Sequence, residues 1–232
     1  MDTNRRNQLQ GMGLGCVAGY VDTLGFIALF GLFTAHVTGN FVLIGAGLAD
    51  PSRASILLKF LAFPAFITGV AVARLLIAAC QTNKWPGLIL SLLLQLVLLS
   101  GFMVCGWLAS PVGSDVSSFA MAAGLLGTAA MGVHSATSRL LLAHLAPTSM
   151  MTGNVTQLVI DSVDVMRGAA DATTAERCMK FVLPLAAFGG GAILAAFIYL
   201  AIGFSALIVP IVILALIIAM QWQLERNQAI PS

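Results

Sequence analysis

Apolar segments follow one another along almost the whole chain, at about 11–31, 36–49, 57–80, 87–109, 117–143, 149–166, 178–201 and 205–222. A helix needs roughly 20 such residues to cross a hydrocarbon core about 30 Å thick. Six segments reach that length, while 36–49 and 149–166 are shorter or more polar. The segments are long, rich in Leu, Ala and Gly, and lack sustained period-two alternation, so helices are predicted rather than membrane strands. Only 9% of the 232 residues are charged, against about 25% in a soluble domain. So few ionic groups cannot cover a water-facing surface, and the apolar residues must face lipid or one another. The predicted fold class is all-α: a polytopic transmembrane helix bundle of six to eight membrane segments. Residues 1–232 form one membrane domain, with the lipid bilayer as its first partner.

The formal net charge of +2 comes without a basic run, so no nucleic-acid partner is expected. Cys16, Cys80, Cys105 and Cys178 form no C-x-x-C pair and lie in or beside apolar stretches. They read as small core residues, not as a disulfide framework or a metal site. The polar, basic start MDTNRRNQLQ leads into an apolar run with no A-x-A-like cleavage site. That run reads as a retained first helix.

An internal repeat is visible. Val37-Thr38-Gly39-Asn40 recurs as Met151-Thr152-Gly153-Asn154, an offset of 152 − 38 = 114. At the same offset Thr34 matches Thr148 and Thr23 matches Thr137. Lys59-Phe60 with Pro64 resembles Lys180-Phe181 with Pro184, at offsets of 121 and 120. Two related halves are expected, about 8–110 and 117–226. Positive charge then bears on orientation. If all eight segments cross with the N-terminus inside, eight of the eleven Lys and Arg lie inward. If 36–49 and 149–166 are re-entrant or interfacial, nine lie inward and only Arg53 and Lys59 outward. Both arrangements put the termini inside. Four crossings per half make the repeats parallel, and three make them inverted, as in many secondary transporters.

Asp22 sits inside the first apolar helix, about 17 Å along the axis from Gly11. An ionised carboxylate is costly in lipid, so it should face the bundle or a wet cavity, either as a proton or cation site or as a structural buried group. Gly15, Gly19, Asp22 and Phe26 share one face, and the glycines allow close approach of another helix. Arg139 is the candidate partner for Asp22, unless it snorkels to an interface. The paired motifs Thr38-Gly39-Asn40 and Thr152-Gly153-Asn154 read as helix starts, with Thr or Asn capping free N–H groups. Two such starts could build a site for a polar or anionic solute, or simply begin short helices at the membrane surface. Asn154, Gln157, Asp161 and Asp164 form one polar stripe, lining a cavity or marking emergence into water. His36 precedes the first motif and His134 is expected opposite it, where a histidine can relay protons. No spacing reads as a metal or nucleophile–base site, and no metal, cofactor or catalytic residue is expected.

The Gly19-Tyr20-Val21-Asp22 element, followed by G-L-F-x-x-H-V-T-G-N at Gly31 to Asn40, resembles the YoaK family. The segment from Gly132 through Gln157, with M-T-G-N-x-T-x-L, is similar to that family's other signature block. The resemblance covers nearly the whole chain. It implies a bacterial multi-pass inner-membrane protein with a repeated T-G-N element, of a group catalogued as a domain of unknown function. It supplies no substrate, activity or catalytic residue.

The functional expectation is a small secondary transporter or permease for a polar or anionic solute, not an enzyme. Asp22, His36, Thr38, Gly39, Asn40, His134, Arg139, Thr152, Gly153, Asn154 and Gln157 are the expected lining of one central region. The alternative is a non-catalytic membrane assembly or sensor partner. A homodimer is compatible with either.

Overall fold

The computed structural model describes residues 3–49, 55–149, 151–171 and 173–229. Among them every regular element is helical, and there are no strands. The helices are α1 (Thr3–Ala28), α2 (Gly39–Ala49), α3 (Ile56–Asn83), α4 (Gly87–Ala109), α5 (Ser118–Leu141), α6 (Met151–Met166), α7 (Thr174–Ile202) and α8 (Ile208–Ala229), with a 3₁₀ turn at Gly203–Leu207 before α8. A helix meets its own backbone hydrogen bonds, which is what an apolar surrounding demands. Its ends use local chemistry. The Ser117 side chain caps α5 by accepting from the Ala120 N–H at 3.2 Å. α3 stops where Lys84 turns left-handed, and Pro86 follows.

Among the described residues, five apolar stretches are long enough to cross a membrane: Asn4–Ala28, Ile56–Asn83, Gly87–Ala109, Ser118–Leu141 and Arg177–Asn227. The last is 51 residues long and contains most of α7 and α8. α2 and α6 are different. With 11 and 16 residues they rise only about 16 and 24 Å, short of a hydrocarbon core.

α1 and α5 are the inner helices. Val17, Ala18, Tyr20, Val21 and Leu24 of α1 are fully buried, as are Ala123, Ala130 and Val133 of α5. α3, α4, α7 and α8 turn residues such as Leu75, Val97, Leu200 and Leu216 outward. α1 runs alongside α7 in the same direction. A Cβ on Gly15 would lie 2.6 Å from the Pro184 carbonyl oxygen, and one on Gly19 would collide with that of Phe188. α5 runs alongside α3 in the same way, with Gly124 against Leu58 near the two starts and Gly132 against Phe66 further along. α4 runs antiparallel to α5, since Gln95 meets His134 while Gly101 meets Leu126.

These directions sort the molecule into two ends. The starts of α1 and α7 share one end with the loop after α5. The end of α1 shares the other with the starts of α3 and α5, where the Lys59 ammonium reaches the Phe30 carbonyl and Gly124 meets Leu29 and Leu32. The end of α4 and the 3₁₀ turn lie there too: Tyr20 donates to the Ala206 carbonyl at 2.9 Å, and the Trp107 indole N–H to Ser205 at 3.1 Å.

Candidate functional site

After α1 the chain doubles back. Phe30 and Gly31 both take positive φ, 54° and 73°, and residues 34–36 return alongside the last turns of α1. Such a segment has no helix of its own to satisfy its N–H groups, and Asp22 supplies the acceptor. Its Oδ1 receives the Ala35 N–H at 2.7 Å, the His36 N–H at 3.3 Å and the Thr34 hydroxyl at 3.4 Å. Its Oδ2 lies 2.6 Å from the His36 Nδ1. Asp22 is 5% exposed. The His36 ring also meets the edge of Phe188 on α7, centroids 5.7 Å apart. The carboxylate therefore binds the return loop to α1, and His36 connects that loop to α7.

This corrects the expected Asp22–Arg139 pair. Among the described residues, Thr34, Ala35 and His36 meet the carboxylate, and Arg139 is partnered elsewhere. The reason is axial position. Leu29, two turns beyond Asp22, lies beside Gly124. Arg139 is fifteen residues further along α5, which leaves it roughly 12 Å from the level of Asp22 at 1.5 Å per residue.

The T-G-N motifs do open helices, α2 at Gly39 and α6 at Met151, but the asparagines do other work than capping. Asn40 is fully buried and does not cap free helical N–H groups. Its Nδ2 donates to the Phe33 carbonyl at 2.8 Å, and its Oδ1 accepts the Phe33 N–H at 3.0 Å. Gly39 lies under the Phe33 ring, where a Cβ would be 3.0 Å from Cδ2. Asn154 repeats the reach: its Nδ2 donates to the Pro147 carbonyl at 2.7 Å, again seven residues back. Pro147 has no N–H to return. Thr38, Thr152 and Gly153 are exposed. The asparagines staple each return loop to the helix that follows it.

His134 and His36 are not brought together. His134 is 2% exposed. Its Nδ1 lies 3.1 Å from the Gln95 amide nitrogen, and its Nε2 lies 2.9 Å from the Thr148 hydroxyl. The amide can only donate, so Nδ1 accepts and Nε2 carries the proton. Thr148 passes its own hydrogen to Ser138 at 3.3 Å. This neutral chain holds the loop after α5 much as Asp22 holds the loop after α1. The α6 stripe faces protein: Gln157 donates to Asp161 at 3.0 Å, and buried Asp161 lies 3.5 Å from the Arg177 guanidinium.

Among the described residues an open space lies elsewhere, at the end that holds the start of α1. A cavity of about 780 Å³ is lined by α1 (Asn4, Asn7, Gln8, Gly11), the loop after α5 (His144, Leu145, Ala146) and the start of α7 (Thr173, Arg177, Met179, Lys180, Leu183, Pro184). Its lining mixes the cations Arg177 and Lys180 and the amides of Asn4, Asn7 and Gln8 with apolar Leu145, Met179 and Leu183. Sequence reasoning did not select it. Lys180 counts there only as a repeat match, and nothing in the spacing of Asn4 and Arg177 joins residues so far apart. Beside the cavity Asp171 binds the entry to α7. The hydroxyls of Thr174 and Thr173 hydrogen-bond its carboxyl, and Arg177 adds a third bond at 3.3 Å. These bonds hold the carboxyl well below the usual carboxylate range.

The helical fold and its apolar stretches define a multi-pass integral membrane protein. A family model described as a protein of unknown function (DUF1275) matches residues 10–220, and the chain belongs to that family. It is 35% identical over 82 residues to the UPF0700 transmembrane protein YoaK of Bacillus subtilis (strain 168), an alignment covering 35% of this chain and 36% of that protein. The matched part is thus about a third of the curated relative's length. No solved structure matches the chain.

Proposed function

We propose that this protein is a small alternating-access carrier for a polar or anionic solute, built from two inverted halves, 8–110 and 117–226. One observation carries the reading. The first long helix of each half packs along the third helix of the other: α1 on α7 and α5 on α3. Crossed packing of this kind is a natural consequence of duplication with inversion. The matching Asn40 and Asn154 staples support it. α2 and α6 act as re-entrant elements, too short to cross, which leaves three crossings per half.

Charge supports an orientation. Arg5, Arg6, Arg74, Lys84, Arg139, Arg167, Arg177, Lys180 and Arg226 belong to the end holding the start of α1, and Lys59 to the other. Arg53, also expected at the other end, lies outside the described residues. By the positive-inside rule the cavity opens to the cytoplasm of a bacterial cell, and both termini lie there. The work is binding and passage, without covalent chemistry.

The test does not need the solute. Spin labels at Arg5 and Met179 report the inner end, and labels at Phe119 and Leu57 the outer end. A carrier populates two distances at each end, with the shorter inner distance accompanying the longer outer one. A single distance at both ends in nanodiscs would overturn the reading and favour a static partner protein.

A further inference from the structure

Among the described residues, the two ends carry matching parts that differ around Lys59 and Lys180. At the outer end Lys59 is 6% exposed. Its Nζ donates to the Phe30 carbonyl at 2.8 Å and to the Ser55 hydroxyl at 2.7 Å. Its repeat match is Lys180, since 180 − 59 = 121, and the match of Phe30 is His144, since 144 − 30 = 114. Both Lys180 and His144 line the open cavity. The parts around Lys59 are shut: a Cβ on Gly124 would lie 2.8 Å from the Leu32 side chain and 3.0 Å from that of Leu58. The same three parts, a helix start, a return loop and the start of a third helix, are closed at one end and parted at the other.

We infer that Lys59 and Lys180 close the two mouths of one anion path in turn. The inference rests on the carrier reading and deepens it. In the outward-open state the Lys180 ammonium takes the His144 carbonyl, as Lys59 now takes that of Phe30, and Lys59 is released to line an outer cavity. An ammonium offers three donors and no acceptor. A mouth lined by one when open, and sealed by it on a neutral carbonyl when shut, favours a solute bearing an anionic oxygen group. Arg177 is less suited to that duty, because Asp161 and Asp171 already lie 3.5 and 3.3 Å from it. Lys180 has no ion pair among the described residues.

The test uses single cysteines in an otherwise cysteine-free full chain. Leu183→Cys reports the inner cavity. Ala62→Cys, fully buried at the matching position in α3, reports the outer one. Impermeant thiol reagents are applied to inverted and right-side-out vesicles. Lys59→Met is expected to raise outer labelling at least tenfold and to lower inner labelling by a similar factor, with Lys59→Arg restoring both. Lys180→Met is expected to lower outer labelling below that of the parent. If Lys59→Met raises outer labelling while inner labelling holds or rises, the residue is merely structural and the exchange is wrong. The ligand arm uses inorganic phosphate or acetate in phosphatidylcholine vesicles, then vesicles containing phosphatidylglycerol. Slower labelling of Leu183→Cys by phosphate or acetate identifies a free anion. Slowing only with phosphatidylglycerol identifies a lipid headgroup, and no slowing in any arm overturns the anion assignment. Failure of the exchange with both distances still populated at each end would leave the carrier reading standing.

Discussion

Gly19→Ala is expected to cost about 3 kcal/mol of stability, a large effect for one methyl group, because the obstacle is backbone. The new Cβ would meet the carbonyl oxygen, the carbonyl carbon and the ring of Phe188. A side chain could rotate away, but a carbonyl inside α7 moves only if the helix moves. Gly132→Ala should behave similarly, because its Cβ would meet the Phe66 carbonyl of α3. Gly45→Ala and Gly153→Ala are the controls, since no heavy atom lies within 4 Å of either added Cβ. Alanine also favours helix over glycine by about 1 kcal/mol, so these two should be neutral or mildly stabilising. Denaturant titration in mixed micelles separates the pairs. Equal behaviour of Gly19→Ala and Gly45→Ala would mean that α1 and α7 do not meet as described.

Asp22→Ala is the second large effect, expected at about 3 kcal/mol, the order of the cost when buried donors lose their acceptor. The substitution strands the Ala35 and His36 N–H groups and removes the partner of the His36 ring. Asp22→Asn should lose less, because an amide oxygen can still accept the Ala35 N–H. The local sign is release of the return loop: a cysteine at Phe33 should react with a water-soluble thiol reagent much faster in Asp22→Ala than in the parent. An unchanged labelling rate, with stability also unchanged, would contradict the anchoring role.

The helical membrane fold is legible in the sequence because lipid leaves so few alternatives. Long apolar runs with 9% charged residues admit little else. Asp22 is legible too, as a charge that must face protein. Its partner is not. Helical periodicity gives the face of a residue but not its depth beside another helix, so Arg139 looks close in a repeat alignment and lies at another level. The partner that does form, His36, is fourteen residues away across a reversal that depends on positive φ at Phe30 and Gly31. T-G-N is a motif with two physical meanings. Asn40 and Asn154 can cap a helix start or reach backward to the loop before it, and only the path of that loop decides. The cavity is the least legible feature. It joins Asn7 to Lys180 through two separate helix starts, and neither residue stands out within its own segment.

The most direct test of the inverted-halves account is topology. Single cysteines are placed at Asn83, the last residue of α3, and at Ser114, between α4 and α5, in a chain whose native Cys16, Cys80, Cys105 and Cys178, all free thiols, are replaced. Impermeant labelling then reads the side that each one faces. The account predicts Asn83 on the side of the termini and Ser114 on the opposite side. Ser114 on the side of the termini, with Asn83 opposite, would mean that α2 and α6 cross and the halves are parallel, and that result would contradict it.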